Sequence, residues 1–159
     1  MPRQPRYLLP GFPQHVINRK YERTGTLWEG RYRASLVNSD EYLLCCYRYI
    51  ELNPVRARLV NNPSAYRWSS YRHHALGQFD RVVTHHEAYQ DLGPDVSSRQ
   101  RVYRSLVQAE LDSQTLSRIR ESADGNLVLG NEAFKDQIET VLNRPVRHKK
   151  SGRPRKTCL

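Results

Sequence analysis

The chain has 159 residues and carries 26 Lys and Arg against 16 Asp and Glu, a net charge of +10. Hydrophobic residues make up 38 % and charged residues 26 %, enough for one ordinary domain of a soluble protein with a modest core. The longest apolar run, 42–47, is too short to cross a bilayer, and three cysteines without a Cys-x-x-Cys spacing make no disulfide framework.

Residues 1–20 hold prolines at positions 2, 5, 10 and 13, together with Arg3 and Arg6, which suits an extended basic arm. This stretch contains no apolar core of a secretory leader, so a cytoplasmic location is expected. Residues 27–37 alternate, with Trp28, Tyr32, Ala34 and Leu36 on one face and Glu29, Arg31, Arg33 and Ser35 on the other, and predict a half-buried strand. Asn38 with Glu41 makes a capping box for a helix whose apolar face is Leu43, Leu44, Tyr47 and Ile50 and which stops before Pro54. Asn53-Pro54 and Asn62-Pro63 each restart a short helix. Thr84 with Glu87 predicts a further start, and Gly93 its stop. Three more helices are predicted over 98–111, 113–123 and 131–142, through Val102, Leu106 and Val107 in the first and Phe134, Ile138 and Val141 in the last. The expected class is α+β, mainly helical.

The charge is unevenly placed. Residues 1–36 carry a local +5, residues 144–159 a local +7, and the 107 residues between them −2. Basic ends of this kind serve as nucleic-acid arms or as solubilising tails. Within the tail, Gly152-Arg153-Pro154-Arg155-Lys156 resembles an AT-hook, whose arginines enter a narrow A·T-rich minor groove. Tyr-Arg pairs recur at 32–33, 47–48, 66–67, 71–72 and 103–104, and serve either base stacking with phosphate contact or packing at core margins. The last two helices have the rhythm of a helix-turn-helix, but their connection is longer than the usual turn and the plain helical hairpin is the favoured reading. His73-His74 and His85-His86 are adjacent pairs with no His-x-His or Cys partner, which gives a metal site little support, and Cys45 and Cys46 read as core filler.

The runs Arg23-Thr24-Gly25-Thr26-Leu27-Trp28-Glu29-Gly30-Arg31-Tyr32, Tyr47-Arg48-Tyr49-Ile50-Glu51-Leu52-Asn53-Pro54-Val55-Arg56-Ala57 and Tyr66-Arg67-Trp68-Ser69-Ser70-Tyr71 resemble the REP-associated tyrosine transposases. These are single-tyrosine members of the HUH transposase superfamily. The resemblance extends to the opening segment and the basic tail. It implies a ferredoxin-like domain in which a helix-borne tyrosine attacks a DNA phosphodiester in a single-stranded hairpin and forms a 5′-phosphotyrosine. In the intact family two histidines of a His-hydrophobic-His strand hold Mg or Mn at the scissile phosphate. By position, the nucleophile here is Tyr49.

Between Ile17-Asn18-Arg19 and Tyr21-Glu22-Arg23 the family's central strands and its His-hydrophobic-His motif are missing, so the resemblance implies an internal deletion. The expected organisation is a basic arm at 1–20, a residual transposase domain at 21–75, a helical region at 76–143 and the AT-hook-like tail at 144–159. No cofactor is expected in this chain, and cleavage by the chain alone is not expected. Apolar surface around Trp28, Leu44 and Tyr47 is expected to be exposed by the loss of the sheet. The residues expected to contact DNA are Arg31, Arg33, Arg56, Lys149, Lys150, Arg153, Arg155 and Lys156. The partners expected are single-stranded hairpin DNA, A·T-rich duplex through the tail, and a full-length transposase or a second copy, with no membrane. Two alternatives stand beside DNA binding: a non-catalytic regulator or inhibitor of an intact transposase, and an inert remnant.

Overall fold

A computed structural model describes residues 9–17 and 33–147. The expected strand contacts of Trp28, the basic residues Arg31, Lys149, Lys150, Arg153, Arg155 and Lys156, and the AT-hook-like tail lie outside the described residues. Among the described residues the fold is α+β and mainly helical: a two-stranded antiparallel sheet and six helices.

Strand β1 (Gln14–Ile17) pairs with β2 (Arg33–Leu36), placing His15 opposite Ser35 and Val16 opposite Ala34. The expected two-faced pattern does not hold in β2, where Ala34, Ser35 and Leu36 are all buried. The reason is that β2 pairs with β1 along one edge while the helix Ser113–Gly125 and the segment after it pack against the strand. Leu129 donates to Leu36 O at 2.8 Å, and Ala34 N donates to the Asn126 side chain at 2.9 Å.

Helix α1 (Ser39–Arg56) runs through Pro54 rather than stopping before it. Proline at this point removes one backbone donor from the final turn. The guanidinium of Arg56 supports that turn instead, Nη1 donating to Tyr49 O at 2.9 Å and to Asn53 Oδ1 at 2.7 Å. The chain leaves the helix through Arg58, whose φ of 57° is left-handed. A short 3-10 turn over Pro63–Ala65 follows, capped as expected by Asn62.

Helices α2 (Tyr71–Leu76), α3 (Glu87–Gln90) and α4 (Val96–Gln108) pack on one side of α1. Their core is Tyr71, Ala75, Tyr89, Tyr103 and Val107, against which Leu44 and Tyr47 also pack. That corrects the expected exposure of Leu44 and Tyr47: the C-terminal helices cover the face. The start of α3 is capped by His86, whose Nδ1 accepts from Ala88 N at 3.1 Å, not by Thr84, because helical geometry begins only at Glu87.

Helices α5 (Ser113–Gly125) and α6 (Glu132–Leu142) lie on the sheet side. They are capped by Asp112 and Asn131, each accepting from a backbone N–H three residues on. A side-chain cap of this type contributes roughly 1 kcal/mol. Cys46, Val37, Ile119 and Leu129 join α1, β2 and α5, while Leu36, Val128, Phe134, Ile138 and Val146 close the outer end. Helix α1 thus stands between two apolar clusters, which leaves little of it free. Ile50, Val102 and Val141, expected inside, are exposed. The chain stays packed through Arg147, which bonds Glu132, Asp136 and Glu139 of α6. No helix among the described residues is long and apolar enough to cross a membrane.

Candidate functional site

Tyr49 sits on α1 about two turns before Arg56, so both side chains share one face of the helix. The guanidinium carbon of Arg56 stands 5.1 Å from the centre of the Tyr49 ring. Partial burial lowers the Arg56 pKa below the usual guanidinium value; Tyr49 raises it and the nearby Arg120 of α5 lowers it. Arg56 is thus the cation set against the tyrosine ring.

On its other side Tyr49 meets His15, edge to face, with ring centres 5.9 Å apart. His15 is buried, and burial lowers its pKa below 6.5, which favours the neutral ring. Its Nδ1 and the Oγ of Ser35, opposite it in the sheet, are buried without hydrogen-bond partners among the described residues. The arrangement is a half-buried phenol between a neutral imidazole and a cation, suited to holding an anionic group near the ring.

Arg33 lies elsewhere, on β2, with Nη1 2.7 Å from Asp124 Oδ1. The structure thus brings Tyr49 and Arg56 together and commits Arg33 to an ion pair. His15 escaped sequence reasoning because it looked solitary. The run Gln14-His15-Val16-Ile17 carries no polar–apolar alternation that could have signalled it, since His15 is buried and Val16 is exposed.

A second polar centre was also missed. Glu51 is fully buried, and its carboxyl accepts from Ser70 Oγ at 2.6 Å and Tyr103 O–H at 2.8 Å, with His74 Nδ1 3.0 Å away. Around it, the His73, His74 and His85 rings are 4.6 to 5.7 Å apart, centre to centre. Tyr47 stacks on His74, and Tyr89 on His85. Among the described residues no three His, Cys, Asp or Glu side chains form a metal-holding group. The Tyr-Arg pairs resolve toward packing at Tyr71 and Tyr103, which are buried.

No family model, curated protein or solved structure matches this chain.

Proposed function

We propose that this chain is a DNA-binding protein of transposase descent, a remnant of the ferredoxin-like HUH domain, which takes single-stranded hairpin DNA through Tyr49, Arg56 and its basic ends. The observation that carries the reading is the Tyr49–Arg56 pair, held on the helix whose sequence Tyr49-Ile50-Glu51-Leu52-Asn53-Pro54 bears the resemblance. A phosphate placed beside the phenol would meet Arg56, the charge such a ligand requires.

Cleavage asks for more. An ordinary phenol with a pKa near 10 is a weak nucleophile until a metal or base activates it. The sequence holds no His-x-His pair, and His15 touches Tyr49 by its ring edge. The chain alone therefore binds without cutting.

The test is an anisotropy titration against a REP-type hairpin, a scrambled strand and a duplex at two salt concentrations. Preference for the hairpin that survives high salt supports the reading. Equal affinities that collapse together with salt overturn it, because phosphate neutralisation alone gives that behaviour. Strand cleavage lost in Tyr49→Phe would restore the enzyme.

The exposed side chains of Val16 on β1 and Ile50 on α1 favour a second reading, in which the chain pairs with a full-length transposase and regulates it. Co-purification with the intact enzyme tests that.

A further inference from the structure

The segments on either side of α2 each present one large aromatic side chain to solvent. Trp68 is 73 % exposed and Phe79 88 % exposed, whereas Tyr71, between them in sequence, is buried. Single exposed rings are common on protein surfaces, and what gives these two a use is the cationic surface around them. Between residues 56 and 81 the chain carries five arginines (Arg56, Arg58, Arg67, Arg72 and Arg81) and a single acid, Asp80.

Phe79 and two of these arginines, Arg67 and Arg72, line an open cleft of about 390 Å³ together with Ser69 and His73. Arg67 also lies over Trp68, its guanidinium carbon 4.3 Å from the ring centre, so the cleft and the tryptophan share one cation. Arg67 forms no ion pair among the described residues. Arg72 is fixed in place by donating from Nε to Ser64 O at 2.7 Å, leaving the rest of its fork to a ligand. The only acid in the wall, Asp80, is folded back on its own loop, where Oδ1 accepts from Val82 N at 3.0 Å. The residual field in the cleft is positive.

We infer that this cleft is a second strand-binding site, in which an unpaired base of single-stranded DNA stacks on Phe79 or Trp68 while Arg67 and Arg72 hold the adjoining phosphate. The inference rests on the DNA-binding reading and adds a contact that neither Tyr49 nor the basic ends provide. Aromatic faces stack any base, so this site contributes affinity for unpaired strand without reading sequence. Arginine suits the shared position because its planar group serves a ring face and a phosphate at once.

The test uses the full chain and the double variant Trp68→Ala/Phe79→Ala, titrated with oligothymidylate, oligouridylate, an abasic strand of equal length and a REP-type hairpin. Both rings are exposed, so the variant retains its melting temperature. The wild type is expected to favour oligothymidylate over the abasic strand. The double variant is expected to lose about tenfold in affinity or more on oligothymidylate and nothing on the abasic strand, in line with the usual worth of a stacked base. Unchanged binding of oligothymidylate by the double variant, with hairpin binding intact, overturns the stacking site and leaves the DNA-binding reading standing. Failure of the wild type to bind any probe overturns both. A larger effect on oligouridylate than on oligothymidylate overturns the assignment to DNA.

Discussion

Tyr103 and Glu51, fifty-two positions apart in the chain, meet inside the protein, where the Tyr103 hydroxyl donates to Glu51 Oε2 at 2.8 Å. Burial, and then Glu51, push the Tyr103 pKa far up, so the phenol stays protonated and remains a donor. The carboxyl oxygen near His74 is an acceptor, which assigns the His74 proton to Nδ1. One carboxyl thus ties α1 to α2 and α4, and to the turn before α2.

Glu51→Ala should therefore destabilise the fold more than any apolar truncation of similar size. It strands the Ser70, Tyr103 and His74 donors in a closed interior, a loss of about 3 kcal/mol or more. Tyr103→Phe removes one donor and is expected to cost about 1 kcal/mol. A double-mutant cycle read by urea denaturation should give a coupling above about 0.5 kcal/mol between positions 51 and 103. Additive effects would show that the contact contributes nothing of its own.

Acid should loosen the protein well before its carboxylates are protonated. His15 and His85 both have native pKa values held below 6.5, His15 by burial and His85 by burial and then by His73, His74 and Arg99. Such histidines bind a proton more readily in the unfolded chain. Stability is therefore full above about pH 7 and declines as pH falls through 6.5, by at most about 1.4 kcal/mol per pH unit for each histidine. Urea midpoints measured across that window check this. His15→Asn combined with His85→Asn should flatten the profile, and an unchanged slope would remove these two groups as its cause.

The two adjacent cysteines should differ in reactivity. Burial, and then Cys45, push the Cys46 thiol up to about 12, while Cys45 is raised against the opposing charge of Arg48. Three units above the ordinary thiol value leaves about a thousandfold less thiolate on Cys46 at neutral pH. In a Cys45→Ser background, iodoacetamide should label Cys46 slowly in native protein and rapidly in denaturant, followed by mass spectrometry. Equal rates would mean that the helix opens freely there.

Legibility in the sequence followed the range of the forces involved. The starts of α1 and α6 could be read because Asn38 and Asn131 stand directly before apolar periodicity. The passage of α1 through Pro54 could not, since it depends on the Arg56 side chain returning to Tyr49 O. Glu51 looked like one letter of a motif, because its partners lie 19, 23 and 52 residues away. At the candidate site, Tyr49 was legible on its helix, but the face it shares with Arg56 was not, because the helix was expected to stop before Pro54, and His15 reaches Tyr49 only once β1 has paired with β2.

Arg56 carries two duties, and the salt dependence of binding separates them. As a structural residue it holds Tyr49 O and Asn53 Oδ1 and so supports the proline-containing last turn. Its removal in Arg56→Ala is expected to cost about 1 kcal/mol of stability. As a DNA contact it would neutralise a phosphate beside Tyr49, and each phosphate so neutralised on a single strand steepens the plot of log Kobs against log salt by about 0.7. Arg56→Ala should therefore weaken hairpin binding and flatten that slope by about this amount, while Tyr49→Phe leaves the slope unchanged. Arg56→Lys keeps the charge without the planar fork, and should restore the slope while recovering only part of the stability. If Arg56→Ala lowers the melting temperature but leaves the slope as it was, Arg56 only braces the helix and is not a DNA contact.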